Sequence, residues 1–112
     1  MKISEIKALL ENTGLPHTYR FYPIGQVPPL PYLVWYLASS DNFAADDRVY
    51  KHAEVLVVEL YTKEKDPDTE AAVEAVFNSV PLVWSRDETY LEDEKMYEVL
   101  YETEIFINGE QD

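Results

Sequence analysis

The chain of 112 residues contains no cysteine, only three glycines and few basic residues. Without cysteine it can form no disulfide bond, thiolate nucleophile or cysteine-based zinc site. Its glycines, Gly14, Gly25 and Gly109, are too scattered to form a phosphate-binding loop. No apolar run reaches the length of a membrane span, and the first residues lack the apolar core of a signal peptide. We therefore expect a protein that folds in a reducing cytoplasm and does not bind membranes.

Positive charge is the scarcest property of the chain. Nine lysines and arginines face 22 aspartates and glutamates, which gives a net charge of −13. Residues 1–40 hold three basic and two acidic residues, a net of +1, so residues 41–112 carry −14. Such a charge repels nucleic acid and anionic membranes, so ordinary binding to DNA phosphates is not expected. Two interpretations stay open: a solvated acidic face, or an acidic surface that DNA passes without sticking.

Hydrophobic periodicity predicts two helices and four or five strands in one domain, 1–112, with a frayed tail from about residue 108. The first helix covers 4–12, and the second begins after Asp66 as N-cap and ends at Pro81. Short links favour an α+β fold, a largely antiparallel four- to five-stranded sheet with two helices packed on one face. The strand patterns cover 17–21, 31–39, 48–63, 82–90 and 95–107, with a polar connection at 40–47.

The strand pattern at 31–39, PYLVWYLAS, is apolar on both faces. This is typical of a central strand, or of one whose outer face is covered by a partner. Three of the residues predicted to contact a neighbouring subunit or a tube belong to this region: Pro29, Pro31 and Trp35. The fourth is Phe43, a lone aromatic in the polar connection, which would either insert into a neighbouring subunit or fold back over its own core.

The stretch PPLP at 28–31 has the composition of a proline-rich docking ligand. Such ligands usually carry a neighbouring basic residue, and the nearest here is Arg20, well upstream. The stretch also lies between two strand patterns instead of in a disordered tail. Because proline is tolerated at the first residue of a strand, we interpret these prolines as a stiff lead into a strand.

The last strand pattern alternates, and its three glutamates Glu98, Glu102 and Glu104 share one face. Like charges this close destabilise a strand unless water or a partner's cations relieve them. Either this is a solvated outer face, or the three carboxylates line a channel through which DNA slides.

Signals for catalysis are weak. The serines have no nucleophile-elbow context, and the only histidines are His17 and His52. His52 and Glu54 share a strand face, which is too little to define a metal site, so a polar strand pair is the preferred interpretation. We therefore predict no enzyme activity, no catalytic residue, no cofactor and no metal.

Several segments together resemble a family of small proteins from phages and prophages of Gram-positive bacteria with long flexible tails. The matching features are PPLPY before an aromatic strand, NFAADDRVY before a long strand, its exit ELYTKEKD, and the final EKMYEVLYE, within about residues 14–107. The family is that of tail terminator proteins, also called tail completion or tail-to-head joining proteins.

The resemblance implies a structural protein without catalytic residues. Such proteins form a ring, commonly of six subunits, that caps the tail tube, stops its polymerisation and offers a surface to the head-completion or connector protein. The expected location is the head-proximal end of the tail in the virion, and the host cytoplasm during assembly. DNA would pass without specific binding.

Two alternatives stay open at this point. One is a neck or head-completion protein of the same phage module. The other, from a different class, is an acidic inhibitor that mimics DNA and occupies a nuclease or a DNA-binding protein; the net charge of −13 favours it.

Overall fold

The computed structural model of the protein describes residues 1–45 and 48–108, with side chains except those at 39–45, 48–52 and 108. The predicted fraying of the tail beyond 108 therefore lies outside the described residues. The elements in chain order are α1 (Ile3–Glu11), β1 (His17–Tyr19), β2 (Tyr32–Ala45), β3 (Arg48–Thr62), α2 (Pro67–Ser79), β4 (Trp84–Leu91) and β5 (Met96–Asn108).

The described residues form an α+β fold, as predicted, with one five-stranded sheet in the order β1-β2-β3-β5-β4. The short strand β1 runs parallel to β2, and every other neighbouring pair is antiparallel. The prediction of a largely antiparallel sheet is thus confirmed. Both edge strands, β1 and β4, are shorter than the three central strands.

The prediction of a polar connection at 40–47 is wrong for residues 40–45, because β2 continues as a strand to Ala45. Its backbone pairs with β3 in a long hairpin that includes Phe43 opposite Lys51. Strand pairing uses backbone groups, so polar residues do not end a strand whose partner continues beside it. Two register shifts, between Leu37 and Ser40 and between Phe43 and Ala44, accommodate the irregular sequence.

Helix α2 begins as the sequence predicts. The side chain of Asp66 accepts a hydrogen bond of 3.1 Å from the backbone N–H of Thr69, and Pro67 opens the helix. Hydrophobic periodicity predicts that Ala72, Val73, Val76, Phe77 and Val80 form the buried side of this helix. Val73, Val76 and Phe77 are buried, but Ala72 and Val80 are exposed, and a glutamate, Glu70, is buried as well.

Most of the core lies on one face of the sheet, the core face, although Val34 and Val57 on the other face are buried as well. Side chains on neighbouring strands stand opposite one another in rows on the core face, such as Leu33, Leu60 and Val99. They form a single buried cluster with residues of both helices. The cluster comprises Ile6, Leu10, Leu33, Trp35, Leu56, Val58, Leu60, Val73, Phe77, Val99, Tyr101, Ile105 and Ile107. At about 25 cal/mol per Å² of apolar surface removed from water, this cluster is the main source of folding free energy.

Neither α1 nor α2 has the length and apolar character needed to cross a membrane.

Candidate functional site

The second face of the sheet, opposite the core cluster, carries most of the exposed acidic residues of the strands. We call it the acidic face. Alternation along each strand assigns its residues. It comprises Tyr32, Val34 and Tyr36 of β2, Val55, Val57, Glu59 and Tyr61 of β3, Ser85, Asp87 and Thr89 of β4, and Glu98, Leu100, Glu102 and Glu104 of β5.

One end of the acidic face is a network of tyrosines and carboxylates. The hydroxyl of Tyr61 lies 2.7 Å from Oε1 of Glu59 and 2.8 Å from Oε2 of Glu98. The hydroxyl of Tyr36 donates to the other oxygen of Glu59 at 3.1 Å. Burial, followed by these hydrogen bonds to carboxylates, raises the pKa of Tyr61. Because the phenol carries one proton, it can donate to only one of the two carboxylates at a time.

Glu98, Glu102 and Glu104 do share one face, as the sequence predicts, but they are not equivalent. Glu98 is half-buried and accepts from Tyr61. Glu102 and Glu104 are exposed, and no ion pair or hydrogen bond to either side chain occurs within the described part of the chain. Their cross-strand neighbours are Val57, Ser85 and Val55, none of which can supply a positive charge. The exposed acidic row therefore consists of two residues, with a third held in the tyrosine network.

The loop between β1 and β2, residues 20–31, which we call the proline-rich loop, folds over the same end of the acidic face. The ring of Tyr22 contacts that of Tyr32 edge-on, with 5.3 Å between centroids, and Tyr32 in turn stands 5.3 Å from Tyr61. The guanidinium of Arg20 lies 5.2 Å above the ring of Tyr36. These contacts tether the loop to the sheet, so the loop is an integral part of the fold and not a free docking ligand.

The predicted interface residues fall into different environments. Pro29 is exposed in the proline-rich loop, and Pro31 is half-buried just before β2. Trp35 is 1% exposed and packs edge-on against Tyr19 within its own subunit. Its prediction as an interface residue is wrong, because its side chain fills the core instead of the partner-facing side of the strand. The side chain of Phe43 lies outside the described residues.

Exposed apolar side chains occur in two segments that sequence reasoning missed. The first, which we call the loop corner, consists of Phe21, Ile24 and Val27, in the loop between β1 and β2. Phe21 and Val27 line one groove together with Leu91 and Met96, so this loop reaches across the acidic face to β4 and β5. The second segment, the groove corner, consists of Val80, Pro81, Leu82 and Val83, between α2 and the start of edge strand β4.

A groove of about 540 Å³ opens at the groove corner, and its lining comprises Met1, Pro81, Leu82, Val83, Glu104, Ile105 and Phe106. Val83 is 92% exposed. The groove is predominantly apolar but holds charges of both signs: the carboxylate of Glu104, and the N-terminal ammonium of Met1, which donates to the carbonyl of Phe106 at 2.6 Å.

The remaining charged cluster, between α2 and β4, is fully paired. Glu70 is 3% exposed and accepts from Nζ of Lys65 at 2.8 Å and from Nη1 of Arg86 at 3.0 Å. Arg86 also bonds Glu74, which accepts from the hydroxyl of Tyr101. Hydrogen bonds to carboxylates, first that of Glu70, raise the pKa of Lys65. With each charge satisfied, the cluster holds α2 to the sheet and offers no free acid or base.

Of the two histidines, the structure describes the side chain of His17 only. Its Nε2 lies 2.8 Å from Oε1 of Glu11, whereas the side chain of His52 lies outside the described residues. Among the side chains that the structure describes, no group of three or more potential metal ligands comes together.

Comparison with known proteins adds no family: no protein-family model and no curated protein matches the chain.

Proposed function

We propose that the protein is a structural subunit of a phage ring that caps the tail tube, stops its polymerisation and joins the tail to the head. The observation that carries the proposal is the pair of separate apolar corners, one in the loop before β2 and one just before β4. Large exposed apolar groups mark interaction surfaces. A subunit with two separate interaction surfaces has the form required to contact two neighbours, as in a ring.

The acidic face supports the same function. Glu102 and Glu104 stand exposed on the sheet, and within the described residues no cation neutralises them. If this face lines the ring, DNA would meet like charge and would pass without binding. At physiological salt this repulsion acts over about 8 Å, so it concerns DNA close to the wall.

The proposal is tested by electron microscopy of a phage that carries this gene, with the gene interrupted. We expect capsids filled with DNA beside unattached tails that are overlong or frayed. Supplying the wild-type gene in trans should restore joined virions of normal tail length. Normal virions in the absence of the protein would overturn the proposed function. Unattached tails of normal length would instead favour a neck or head-completion protein of the same module.

The lining of the channel requires a separate experiment. The variant Glu102→Lys should still complete tails, because this side chain has no partner within the described structure and does not line the groove at the groove corner. DNA ejection from such virions should be slower, since lysine attracts the phosphates. Glu98 is left unchanged because it bonds Tyr61. Ejection at the wild-type rate would exclude the acidic face from the channel.

The acidic DNA-mimic inhibitor is the second candidate, favoured by the same exposed carboxylates. It predicts binding to a nuclease or a DNA-binding protein that weakens steeply with added salt. The Glu102→Lys variant would weaken that binding, and phage assembly would not depend on the protein.

A further inference from the structure

Strand β1 covers only part of the edge that β2 turns away from β3. It pairs with residues 33–35 and then stops, whereas β2 continues to Ala45. Arg20 adopts a φ of +70°, and from there the chain leaves the edge as the proline-rich loop. No strand of residues 1–45 and 48–108 therefore lies beside β2 beyond Trp35 on this side. Strand edges that lack a neighbour are templates for pairing with another strand.

The backbone of Leu37 faces this open edge. On the same side of β2, the N–H of Leu33 donates to the carbonyl of Pro16 at 2.8 Å, and the carbonyl of Trp35 accepts from the N–H of Arg20 at 2.8 Å. Backbone groups of alternate residues point to the same side of a strand, so the N–H and C=O of Leu37 point there as well. Neither group has a hydrogen-bond partner on this edge within the described residues.

An apolar pocket of about 440 Å³ lies beside this edge. Its lining comprises Ile3 and Lys7 of α1, Tyr19 at the end of β1, and Trp35 and Leu37 of β2. Trp35 is 1% exposed, so a guest would contact mainly the half-buried Ile3 and Leu37 and the more exposed Tyr19. Side chains on neighbouring strands stand next to each other in rows. A strand added beside Leu37 would therefore direct a side chain into this pocket.

Charge selects what this pocket accepts. Lys7 is exposed, and no other charged residue is part of the described lining. Its side chain has no ion pair or hydrogen bond within the part of the chain that the structure describes. Glu11, which is placed to pair with Lys7 one turn along α1, lies 2.8 Å from His17 instead. An apolar pocket beside an unneutralised ammonium group is complementary to a segment that carries both an apolar side chain and a carboxylate.

The opposite edge of the sheet is less suited to strand addition. Strand β5 runs past the start of β4, but in this overhang the carbonyl of Phe106 accepts a hydrogen bond from the N-terminal ammonium of Met1 at 2.6 Å. The groove there also contains the carboxylate of Glu104, so it presents charges of both signs and favours neither kind of ligand. The edge of β2 is therefore the better candidate.

We propose that the open edge of β2 binds an extended segment of another protein by strand addition. The segment bonds the N–H and C=O of Leu37, places a large apolar side chain in the pocket, and holds a carboxylate near Lys7. In this mode of recognition, main-chain hydrogen bonds supply affinity and pockets for alternate side chains supply specificity. The ligand class is thus an extended segment in which apolar and acidic residues share one face. The proposal depends neither on a ring nor on a role in a phage.

The test is a titration of the isotope-labelled protein with a synthetic peptide, followed by two-dimensional NMR. The peptide threonine-leucine-threonine-leucine-threonine-aspartate, blocked at both ends, carries its leucines and its aspartate on one face of a strand. A peptide concentration of up to about 5 mM detects a complex with a dissociation constant of about 1 mM. The amide signals of Leu37 and Lys7 should shift, and the N–H of Leu37 should exchange more slowly with solvent. No shift, or shifts confined to other regions, would overturn the proposal.

N-methylated peptides separate strand addition from a purely apolar contact. In a strand, the N–H groups of alternate residues point to the same side, so only one of two neighbouring amides can donate to β2. One peptide is methylated at the second leucine and the other at the threonine before it. One of the two should bind about tenfold more weakly than the parent, because it loses a main-chain hydrogen bond, and the other should bind like the parent. Equal affinities of the two methylated peptides would overturn strand addition.

The charge of Lys7 has a test of its own. Replacing the aspartate of the peptide by asparagine should weaken binding about threefold, as expected for an exposed charge pair. Lys7→Glu should weaken binding of the aspartate peptide and strengthen binding of a peptide with lysine at that position. Lys63→Glu, an exposed lysine outside the pocket lining, is the matched control and should bind like wild type. Equal affinity of the aspartate and asparagine peptides would overturn the assigned role of Lys7.

A second copy of this chain is the competing occupant of the edge. In that case the amide signals of Leu37 and Lys7 would shift with protein concentration before any peptide is added. Such shifts would overturn the assignment to a different protein. Their absence, together with peptide binding at Leu37, would support it.

Discussion

The two faces of the sheet are built from the same strands, yet alternate residues give them opposite properties. On the core face, rows such as Trp35, Val58 and Tyr101 are almost completely buried. On the acidic face, the alternate residues of the same strands include Glu59, which bonds two tyrosine hydroxyls, and the exposed Glu102. The difference teaches that most of the folding free energy comes from the core face, and that the exposed part of the other face is free to carry surface function. Four mutational predictions test this separation, beginning with the largest effect.

Phe77 tests the core face most severely. It is fully buried, and its ring stands 5.4 Å from that of Tyr101. Phe77→Ala should lower the free energy of unfolding by about 3–5 kcal/mol, because it removes apolar burial and leaves a cavity. Urea denaturation measures the change, with Val83→Ala as an exposed control that should stay within about 0.5 kcal/mol. A loss as small as the control's would mean that α2 does not anchor the core.

Glu70 tests the border between the core and the paired charges. Glu70→Gln should cost about 1.5–3 kcal/mol, as is typical for hydrogen bonds to charged groups, because Lys65 and Arg86 lose a buried anionic partner. Glu102→Gln, on the acidic face, is the matched control and should be nearly neutral. If urea denaturation showed the same change in the free energy of unfolding for both substitutions, the buried Glu70 would contribute no more to stability than a carboxylate of the acidic face, which would contradict the account.

Tyr61 tests the acidic face through pH. Its pKa is raised in the fold above the ordinary value of 10.0. At pH above about 10 the unfolded chain therefore loses this proton while the folded chain retains it, so the unfolded state binds fewer protons and stability falls as pH rises. Tyr61→Phe should show a smaller loss between pH 9 and 11 in denaturant unfolding. The decline will not vanish, since the pKa of Tyr101 is raised too, mainly by burial. An identical pH profile in Tyr61→Phe would contradict the tyrosine–carboxylate network.

The smallest effect is expected from the exposed glutamates. Replacing both Glu102 and Glu104 by glutamine should change stability by no more than about 0.5 kcal/mol, in the stabilising direction, since like charges on one strand repel each other. The gain should shrink when salt is added, because salt screens exposed charges. A clear loss of stability, seen as a lower melting temperature at low salt, would show that these carboxylates have a structural role.

Sequence patterns predicted what depends on local chemistry. Alternation in β5 correctly separated Tyr101 from Glu102, and the N-cap at Asp66 marked the start of α2. Both signals involve residues close together in the chain. The extension of β2 to Ala45 was missed because its partner, β3, supplies the hydrogen bonds whatever the side chains are.

Features that depend on distant residues were not predictable. Glu70 is buried because Arg86 comes from β4, sixteen residues later, and no local pattern shows this. Because the strand pattern at 31–39 is apolar on both faces, it could not reveal that the face carrying Trp35 is the one that packs in the core. The corners were missed for the same reason, since the exposure of Ile24 and Val83 follows from which elements fail to cover them.

The most direct test of the proposed tail ring is cryo-electron microscopy of the head–tail junction in virions of a phage that encodes this chain. The account predicts a ring of repeated copies of this chain at the head-proximal end of the tube. A junction of known composition that lacks this chain would contradict it.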